Sequence, residues 1–378
     1  MHVSFLSLTS WRNHTHSQVE LVPGVSVFLG PNGQGKTNLI EAIGYLSTLD
    51  SHRVSSPQQL IQAGASSALI RAKLLDRDRE VRLELQLNRD RPNQAQLAGT
   101  PTKPRELTRY CHSVLFAPED LDIVRGDPGE RRRYLDGLLM QLTPRLAGVL
   151  ADYERVLRQR GQLLKTARGN AALSTLEIWN HKLSELGAEI VHARLRLIDA
   201  LTAPLRAAYR QIVDADHAPG MRLDCSWSSV LEDSPLSAAV STSDIRAQFE
   251  QAMALVASRE LERGVNLVGP HRDDLHLELN GLPVKGYASH GESWSFVLAL
   301  KLAAAEVLRA DSLVGDPVLI LDDVFAELDS ARRLRLARAV AAFEQVLITA
   351  AVPEDVPAEL QARHFRVSAG TVVAEAVA

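Results

Sequence analysis

One eight-residue segment, Gly30-Pro-Asn-Gly-Gln-Gly-Lys-Thr37, constrains this chain more than any other feature. It matches the pattern G-x-x-x-x-G-K-[ST] in full and follows a short apolar run, Val25–Leu29. The residues after it have the apolar spacing of one helix face: Leu39, Ile40, Ile43 and Leu46. A strand, a glycine-rich loop and a helix in this order predict a P-loop. The alternative, a chance glycine turn, does not account for the flanking strand and helix.

The residue types in this loop predict how it binds a nucleotide. Every loop position is a candidate ligand: Gly30, Pro31, Asn32, Gly33, Gln34, Gly35, Lys36 and Thr37. The glycines let backbone N–H groups wrap the phosphates without Cβ clashes. We expect Lys36 to place its ammonium against the β- and γ-phosphates and to take part in catalysis, and Thr37 to bind Mg²⁺ through its hydroxyl. The helix directs its positive N-terminal end at the phosphates.

A second apolar run, Pro317–Leu321, ends in two aspartates. A P-loop needs an acidic residue on a neighbouring strand to hold Mg²⁺, and Asp322 is the predicted metal ligand. Asp323 is the predicted catalytic residue, placed to orient or deprotonate the attacking water. The alternative interpretation is a strand that ends in two solvated acids.

Between these motifs lies Ser289-His-Gly-Glu-Ser293, which opens the apolar stretch Phe296–Leu302. A serine and a glycine at a helix N-terminus favour binding of an anion. Since one nucleotide does not need two such elements from one chain, we expect Ser289 and Gly291 to serve a nucleotide held by another subunit. An N-cap serine is common, so the position between the other two motifs carries this interpretation.

Length and composition indicate an ordinary globular protein. The chain has 378 residues, 46% hydrophobic and 23% charged, enough for two to three structural units. Apolar runs fall short of a membrane span, and the N-terminus lacks the pattern of a signal peptide. Two distant cysteines, Cys111 and Cys225, favour neither disulfides nor a zinc site. We therefore expect a soluble, cytoplasmic protein with no membrane partner.

The pattern of strand-like and helix-like stretches along the chain predicts three segments. Residues 1–128 form the first part of a P-loop lobe, with Val81–Leu87 alternating like a half-buried strand. Residues 129–263 form a helical insertion, with long helices expected over 144–168 and 174–213. Residues 264–378 complete the P-loop lobe, with sheet patterns at 265–284 and 345–349.

Charge is unevenly distributed along the chain. Residues 131–210 contain fourteen Lys and Arg against seven Asp and Glu, a net charge of +7 that leaves -11 for the remainder of a chain whose total is -4. Such a basic stretch is typical of phosphate-backbone binding, although arginine-rich helices are also common as solvated faces. Aromatic residues make up only 5% of the chain, so few side chains are available to stack on bases. We expect sequence-independent recognition of DNA through backbone and shape, with a steep salt dependence.

Three further segments complete a resemblance to a known family. The first is Phe116–Leu121 together with the nearby Arg131–Asp136. The second is Gly269-Pro-His-Arg-Asp-Asp-Leu275, and the third is Leu321-Asp-Asp-Val-Phe-Ala-Glu-Leu-Asp329. With the motifs above, in this order, the chain resembles the ABC-type ATPase heads of the SMC and recombination-protein group. More narrowly, it is similar nearly end to end to the RecF family of bacterial recombination mediators.

This resemblance implies an α/β fold, with an ABC-type P-loop ATPase lobe built on a mixed sheet and a helical second lobe. It implies ATP and Mg²⁺ as cofactors and a head-to-head homodimer formed on ATP binding, in which Ser289 and Gly291 cap the partner's γ-phosphate. Asp329 is then expected at the dimer interface. Arg12 matches a family arginine near the nucleotide, with a solvated surface arginine as the alternative.

The implied function is DNA replication and repair. The resemblance suggests a nucleoid-associated, ATP-gated clamp with weak, DNA-stimulated ATPase activity that acts in single-strand gap repair and SOS induction. Its implied partners are single-stranded and duplex or gapped DNA, a RecR-type mediator and, indirectly, the recombinase RecA.

Four departures from the wider pattern predict slow hydrolysis. The signature has His290 and Glu292, and an acid near a triphosphate is repulsive unless it is paired or turned away. Asp323 replaces the usual glutamate, Glu119 stands where transporters use glutamine, and no histidine follows 345–349.

Three other classes of protein are alternatives. A transport ATPase subunit has no need for so long and basic an insertion. An SMC-like structural ATPase would need sustained heptads in the insertion. A nuclease-coupled ATPase would need a nuclease domain, for which the roughly 50 residues after Asp329 are too few. A monomeric nucleotide kinase would leave the signature helix and the Asp329 segment without a role.

Overall fold

The computed structural model describes residues 1–54, 56–76, 79–166, 170–231, 236–311 and 315–375. The chain divides into two compact units. Unit 1 comprises residues 1–121, 204–216 and 289–378, and unit 2 comprises residues 122–203 and 217–288. Over the described ranges, no helix is long and apolar enough to cross a bilayer.

Strands and helices occur in runs along the chain, with three strands before the first helix and, among the described residues, four helices in succession over 121–213. The strands are β1 (His2–Trp11), β2 (His14–Glu20), β3 (Gly24–Leu29), β4 (Ser67–Asp76), β5 (Arg79–Asn88), β6 (Gln94–Leu97), β7 (Thr100–Thr102), β8 (Ser113–Phe116), β9 (Gly220–Asp224), β10 (Asp274–Leu279), β11 (Leu282–Pro283), β12 (Val318–Asp322), β13 (Gln345–Ala350), β14 (Ala362–Ser368) and β15 (Thr371–Ala374). The helices are α1 (Lys36–Thr48), α2 (Pro104–Leu107), α3 (Leu121–Arg125), α4 (Pro128–Leu142), α5 (Leu146–Thr166), α6 (Asn170–Val213), α7 (Ser228–Leu231), α8 (Thr242–Arg263), α9 (Val284–Tyr287), α10 (His290–Asp311) and α11 (Ser330–Val340).

Unit 1 contains two six-stranded sheets. The first is antiparallel, in the order β2-β1-β4-β5-β6-β7. The second has the order β15-β14-β3-β13-β12-β8 and is parallel except for its edge strand β15. Parallel strands direct their carboxyl ends to one edge, where ligands of open α/β sheets bind. This edge therefore receives the loops after β3 and β12.

The predicted adjacency of the two motif strands is wrong. We expected the aspartate strand to neighbour the P-loop strand, but β13 lies between β3 and β12, in register as Leu321↔Ile348 and Ile348↔Val27. Chain order shows which strands exist, whereas sheet order depends on crossovers that leave no local signal. As a result, the carboxyl end of β13 also contributes to the site.

Helix α1 follows the P-loop and fills the core of unit 1. Its predicted apolar residues Leu39, Ile40, Ile43 and Leu46 are all buried, in one cluster with side chains of both sheets. The helix ends at Leu49, whose φ of 56° is left-handed and whose N–H bonds to Tyr45 O. Burial of this apolar face fixes the first turn of the helix, and with it the P-loop, on the sheet edge.

Unit 2 is mostly helical, as expected, but it also contains a small sheet. Its helices include α4, α5, α8 and residues 170–203 of α6, and its strands form an antiparallel sheet in the order β11-β10-β9. Trp227 and Phe249 stack in its core with ring centroids 4.9 Å apart. Helix α8 has Ser241 as N-cap and Gly264, at φ 65°, as its left-handed C-cap.

The predicted segment borders differ from the observed units. The first border lies at 121/122 instead of 128/129, and unit 2 extends to residue 288 instead of ending at 263. The physical reason is that β10 pairs with β9, for example Leu275↔Leu223, so the sheet pattern at 265–284 belongs to unit 2. In addition, residues 204–216 return to unit 1, beginning at Pro204 inside α6.

Most predicted elements are present. The structure confirms strands at Val25–Leu29, Val81–Leu87 and 345–349 as β3, β5 and β13. The helices expected over 144–168 and 174–213 correspond to α5 and α6, apart from residues 167–168, which lie outside the described residues. The predicted α/β class with a helical second lobe is confirmed.

Candidate nucleotide-binding site

The P-loop connects β3 to α1 in a backbone conformation that requires glycine. Gly35, the residue before α1, has a φ of 110°, and a Cβ built on it would lie 2.7 Å from the Asn13 amide and 2.9 Å from His14 Nε2. Any other residue would be strained there and would push the neighbouring hairpin away. Pro31, Asn32 and Gly33 form the exposed part of the loop.

Lys36 is buried within the loop, with 4% of its surface exposed. Its Nζ donates hydrogen bonds to Gly30 O at 2.7 Å and Pro31 O at 3.3 Å, and it lies 3.5 Å from Asn32 Oδ1. A buried ammonium needs acceptors, and here the loop itself provides them. This holds the positive charge where the loop would enclose phosphate oxygens.

Thr37 and Asp322 meet at the start of α1. Thr37 Oγ1 donates to Asp322 Oδ1 at 2.8 Å, and Thr349 Oγ1, from β13, donates to the same oxygen at 2.6 Å. Burial raises the pKa of the Asp322 carboxyl, against the two hydroxyl hydrogen bonds, which lower it. A hydroxyl and a carboxylate are hard oxygen donors of the kind Mg²⁺ prefers, so this pair fits the predicted metal ligands.

Asp323 follows β12 in a left-handed conformation, with φ 51°. Its N–H donates to Thr349 Oγ1 at 3.0 Å, so Thr349 orients both aspartates. Within the described part of the chain, the Asp323 carboxylate makes no hydrogen bond. A non-glycine residue in this conformation costs free energy and is typical of functional sites.

The signature segment 289–293 forms a capping box at the start of α10. Ser289 N donates to Glu292 Oε2 at 2.8 Å, and Glu292 N donates to Ser289 Oγ at 3.2 Å. The Glu292 carboxylate, which we expected to repel a triphosphate unless paired, is thus paired with a backbone N–H. Ser289 and His290 are exposed.

Arg332 joins the signature to the segment after β12. Its Nε donates to Ser295 Oγ at 3.0 Å, and its Nη1 donates to Asp329 Oδ2 at 2.6 Å. A Cβ added at Gly291 would lie 2.9 Å from this guanidinium. Gly291 and Asp329, which the resemblance places at the same dimer interface, therefore lie around one arginine.

Arg12 lies in the turn between β1 and β2 and is engaged by an acid of α1. Its Nε donates to Glu41 Oε2 at 2.9 Å and its Nη2 donates to Glu41 Oε1 at 2.7 Å. Glu41 also accepts a 2.6 Å hydrogen bond from Ser51 Oγ. The guanidinium is thus held in a bidentate pair, the geometry that arginine forms best.

Two turns that sequence reasoning missed hold the P-loop from outside. Asn13 Nδ2 donates to Gln34 O at 3.1 Å, and Gly370 N, from the β14–β15 turn, donates to the same oxygen at 3.0 Å. The Gln34 side chain accepts a 2.8 Å hydrogen bond from Ala369 N. His14 contacts both Gly35 and Gly370. These residues match no sequence motif, and only their contacts with the P-loop in the folded chain show that they belong to the site.

His52 is a second residue that sequence reasoning missed. Burial lowers the pKa of its imidazole, while the charges of nearby acids, including Glu41, Glu119 and Asp322, raise it. Its Nε2 is buried without a hydrogen-bond partner in the described part of the chain. Glu119, which stands at the transporter glutamine position, is itself exposed.

The basic stretch 131–210 is not a uniform surface. Three of its arginines are internal and paired: Arg131 with Asp274, Arg160 with Glu260, and Arg194 with Asp136. Asp274 and Glu260 lie outside the stretch, so each of these two internal pairs offsets one positive charge of the +7. Lys165 and Arg196 are exposed and have no ion pair among the described residues, while Arg168 lies outside them.

Comparisons with known proteins show which family the chain resembles. A family model described as the RecF/RecN/SMC N terminal domain matches residues 2–368. The fold and site thus define a P-loop ATPase head of that class. The DNA replication and repair protein RecF of Clavibacter michiganensis subsp. michiganensis (strain NCPPB 382) is 56% identical over 390 residues, covering 99% of this chain and 96% of the relative.

A second relative and a solved structure, both RecF proteins, narrow this class of ATPase heads to one family. RecF of Leifsonia xyli subsp. xyli (strain CTCB07) is 57% identical over 382 residues, with 99% of both chains covered. A solved structure of the recombination mediator protein RecF-ATPrS in the RecFOR pathway superposes with a TM-score of 0.87 at 27% identity, covering 99% of this chain and 98% of that one. The chain belongs to the RecF family.

Proposed function

We propose that this chain is an ATP-binding recombination mediator that acts in DNA replication and repair. The observation that carries the proposal is the meeting of Lys36, Thr37 and Asp322 at one sheet edge in a member of the RecF family. A solved relative, also 99% covered, is RecF-ATP, which supports ATP as the nucleotide.

In this proposal each residue has a defined task. The P-loop backbone and Lys36 bind the phosphates, and Thr37 and Asp322 hold Mg²⁺, which neutralises phosphate charge when bound. Thr349 orients Asp322 and Asp323, and Asp323 positions the attacking water. Arg12 acts near the nucleotide from its pair with Glu41. Hydrolysis is slow and serves as a switch, since Asp323 is one methylene shorter than a glutamate.

The proposed active form is a head-to-head homodimer. Ser289 and Gly291 of one subunit cap the γ-phosphate held by the other, and Asp329 lies at the interface. The Arg332 contacts support this, because its guanidinium bonds both to Ser295, one helical turn after Gly291, and to Asp329. DNA lies along the basic residues of unit 2, and a RecR-type protein and RecA act downstream at gaps.

Light scattering with and without ATP and duplex DNA tests the proposal. We expect monomers that become dimers with ATP and larger complexes with DNA, while Lys36→Ala stays monomeric. Exposed Lys103→Ala is the matched control and should dimerise like the parent. A mass that stays monomeric under every condition contradicts the clamp.

A further inference from the structure

The guanidinium of Arg332, in the first turn of α11, lies directly against the signature segment. A Cβ built on Gly291 would lie 2.9 Å from Arg332 Nη1, 3.0 Å from Nη2 and 3.2 Å from Cζ. Gly291 does not have the left-handed φ that favours glycine, so it is the space beside the residue that the guanidinium occupies. Arg332 is therefore a cation in contact with the glycine that, in the proposed dimer, caps the partner's γ-phosphate.

Hydrogen bonds on both sides hold the Arg332 side chain in this position. Its Nε donates to Ser295 Oγ at 3.0 Å, and the Ser295 hydroxyl donates in turn to Gly291 O at 2.8 Å. Its Nη1 donates to Asp329 Oδ2 at 2.6 Å, while Asp329 Oδ1 accepts from Arg332 N at 2.8 Å. The side chain is 27% exposed, so its charge is fixed in place and still acts on groups outside the subunit.

Two carboxylates share this neighbourhood with the guanidinium. Asp329 is paired with it, and Glu292 follows Gly291 directly in the chain. Burial raises the pKa of the Tyr209 phenol to about 12, and on this pKa the Glu292 charge has a raising effect and the Arg332 charge a lowering one. Without Arg332, the signature would present two acids, and like charges repel a triphosphate.

The capping box does not remove the charge of Glu292. Its carboxylate accepts a hydrogen bond from Ser289 N, and a backbone N–H is a neutral donor. The negative charge therefore stays at the end of α10, where the proposed dimer places the partner's nucleotide. A nearby cation has to offset this charge if the segment is to receive a triphosphate.

We propose that Arg332 is a positioning residue of the signature, and that its charge offsets Glu292 so that ATP held by one subunit is received by the other. This inference rests on the proposed function, because it concerns the ATP-dependent homodimer. Arg332 acts through Gly291 and Ser295 and through its charge, and it is assigned no contact with phosphate. A residue that only braced α10 would act independently of the charge of Glu292.

Sedimentation of the full chain with ATP and Mg²⁺ tests the charge balance. Arg332→Gln removes the positive charge, and we expect it to weaken the dimer about tenfold or more. Arg332→Lys keeps the charge and should dimerise within about threefold of the parent. Exposed Arg338→Gln, on the same helix, is the matched control and should dimerise like the parent.

The double variant Arg332→Gln/Glu292→Gln distinguishes charge from bracing. Glutamine, like glutamate, closes a capping box, and the two changes together leave the net charge of the signature as in the parent. We expect its dimer to recover to within about threefold of the parent. A double variant as weak as Arg332→Gln alone overturns the proposal, and so does an Arg332→Gln variant that dimerises like the parent.

Binding of a fluorescent ATP analogue to the dilute, monomeric subunit separates this proposal from the proposed function. Arg332→Gln should bind the analogue as the parent does, because the P-loop is intact, whereas Lys36→Ala should not bind it. If the parent binds ATP but stays monomeric, the proposed dimer is wrong and the role of Arg332 falls with it. If the parent dimerises and Arg332→Gln does so equally well, only the role of Arg332 is wrong.

Discussion

Single residues at the site depend on partners far away in the chain. Thr37 and Asp322 are 285 positions apart yet share a 2.8 Å hydrogen bond, and Thr349 completes the arrangement from a third segment. Glu292 shows the opposite case, since its partner Ser289 is only three residues away. The local pairing was within reach of sequence reasoning as a Ser-x-x-Glu pattern, whereas the role of Thr349 was not.

Replacing Lys36 by arginine tests the P-loop at the residue scale. The charge remains, but a planar guanidinium does not fit the acceptors that surround a compact ammonium. We expect ATP hydrolysis to fall about a hundredfold or more, the scale of losing one transition-state donor. Steady-state phosphate release measures this, with Lys103→Arg as the exposed control. Hydrolysis at the parent rate would show that the P-loop assignment is wrong.

At the scale of elements, unit 2 is held together by buried polar groups as well as apolar packing. Arg160 of α5 donates to Asn180 of α6, to Asn266 and to Glu260 of α8. Glu260 also accepts a 2.7 Å hydrogen bond from Leu267 N. This network ties three helices and the segment before the Gly269–Leu275 motif into one arrangement, and each donor or acceptor has a specific partner.

Removing Arg160 should strongly destabilise unit 2. Arg160→Ala leaves the Glu260 carboxylate buried without its cation, which costs about 3–5 kcal/mol. Arg158→Ala, two residues away, removes an exposed pair with Glu154 and should cost no more than about 1 kcal/mol. Denaturant unfolding of both variants compares the two costs. Equal effects would contradict a buried, specific network.

Two residues of the Gly269–Leu275 motif should change the stability of the folded state with pH in opposite directions. Burial raises the pKa of Asp273 to about 6, and burial, with nearby arginines, lowers the pKa of His271 to about 4. The folded state holds the Asp273 proton more tightly than the unfolded state, so this group loses stabilising effect as pH rises from about 4 to about 6. His271 behaves oppositely, because its stabilising effect is lost as pH falls from about 6.5 to about 4.

Single substitutions should separate these effects. Relative to the parent, Asp273→Asn should gain stability as pH rises from about 4 to about 6, and His271→Gln should lose stability over the same range. Urea unfolding at a series of pH values measures both differences. Parallel curves for the parent and both variants would show that neither group is perturbed.

Over the whole molecule, charge is unevenly distributed. The chain carries -4 in total, and the +7 of residues 131–210 contrasts with -11 elsewhere. The structure lowers the positive charge that this stretch offers to a polyanion, because Arg131 and Arg160 are internal and neutralised by acids from outside the stretch. What remains for a polyanion are the exposed cations of unit 2, such as Lys165 and Arg196.

Duplex binding at a series of salt concentrations tests this reduced basic surface. We expect affinity to fall linearly on a log–log plot, and Lys165→Gln and Arg196→Gln each to lower the slope by about one. Arg105→Gln, exposed in unit 1 and close to Glu106, is the control and should leave the slope unchanged. Affinity that does not vary with salt would rule out phosphate contacts.

The sequence by itself determined the parts whose cause is local. A glycine-rich loop between an apolar strand and an amphipathic helix, a strand ending in Asp322, and the helices of the insertion follow from spacing and residue type. The tertiary structure alone decided which strand lies between β3 and β12, which unit contains β10, which arginines are internal, and that His14 contacts the P-loop. Strand neighbours, burial and hydrogen-bond partners arise from contacts between distant segments, and a local pattern carries no record of them.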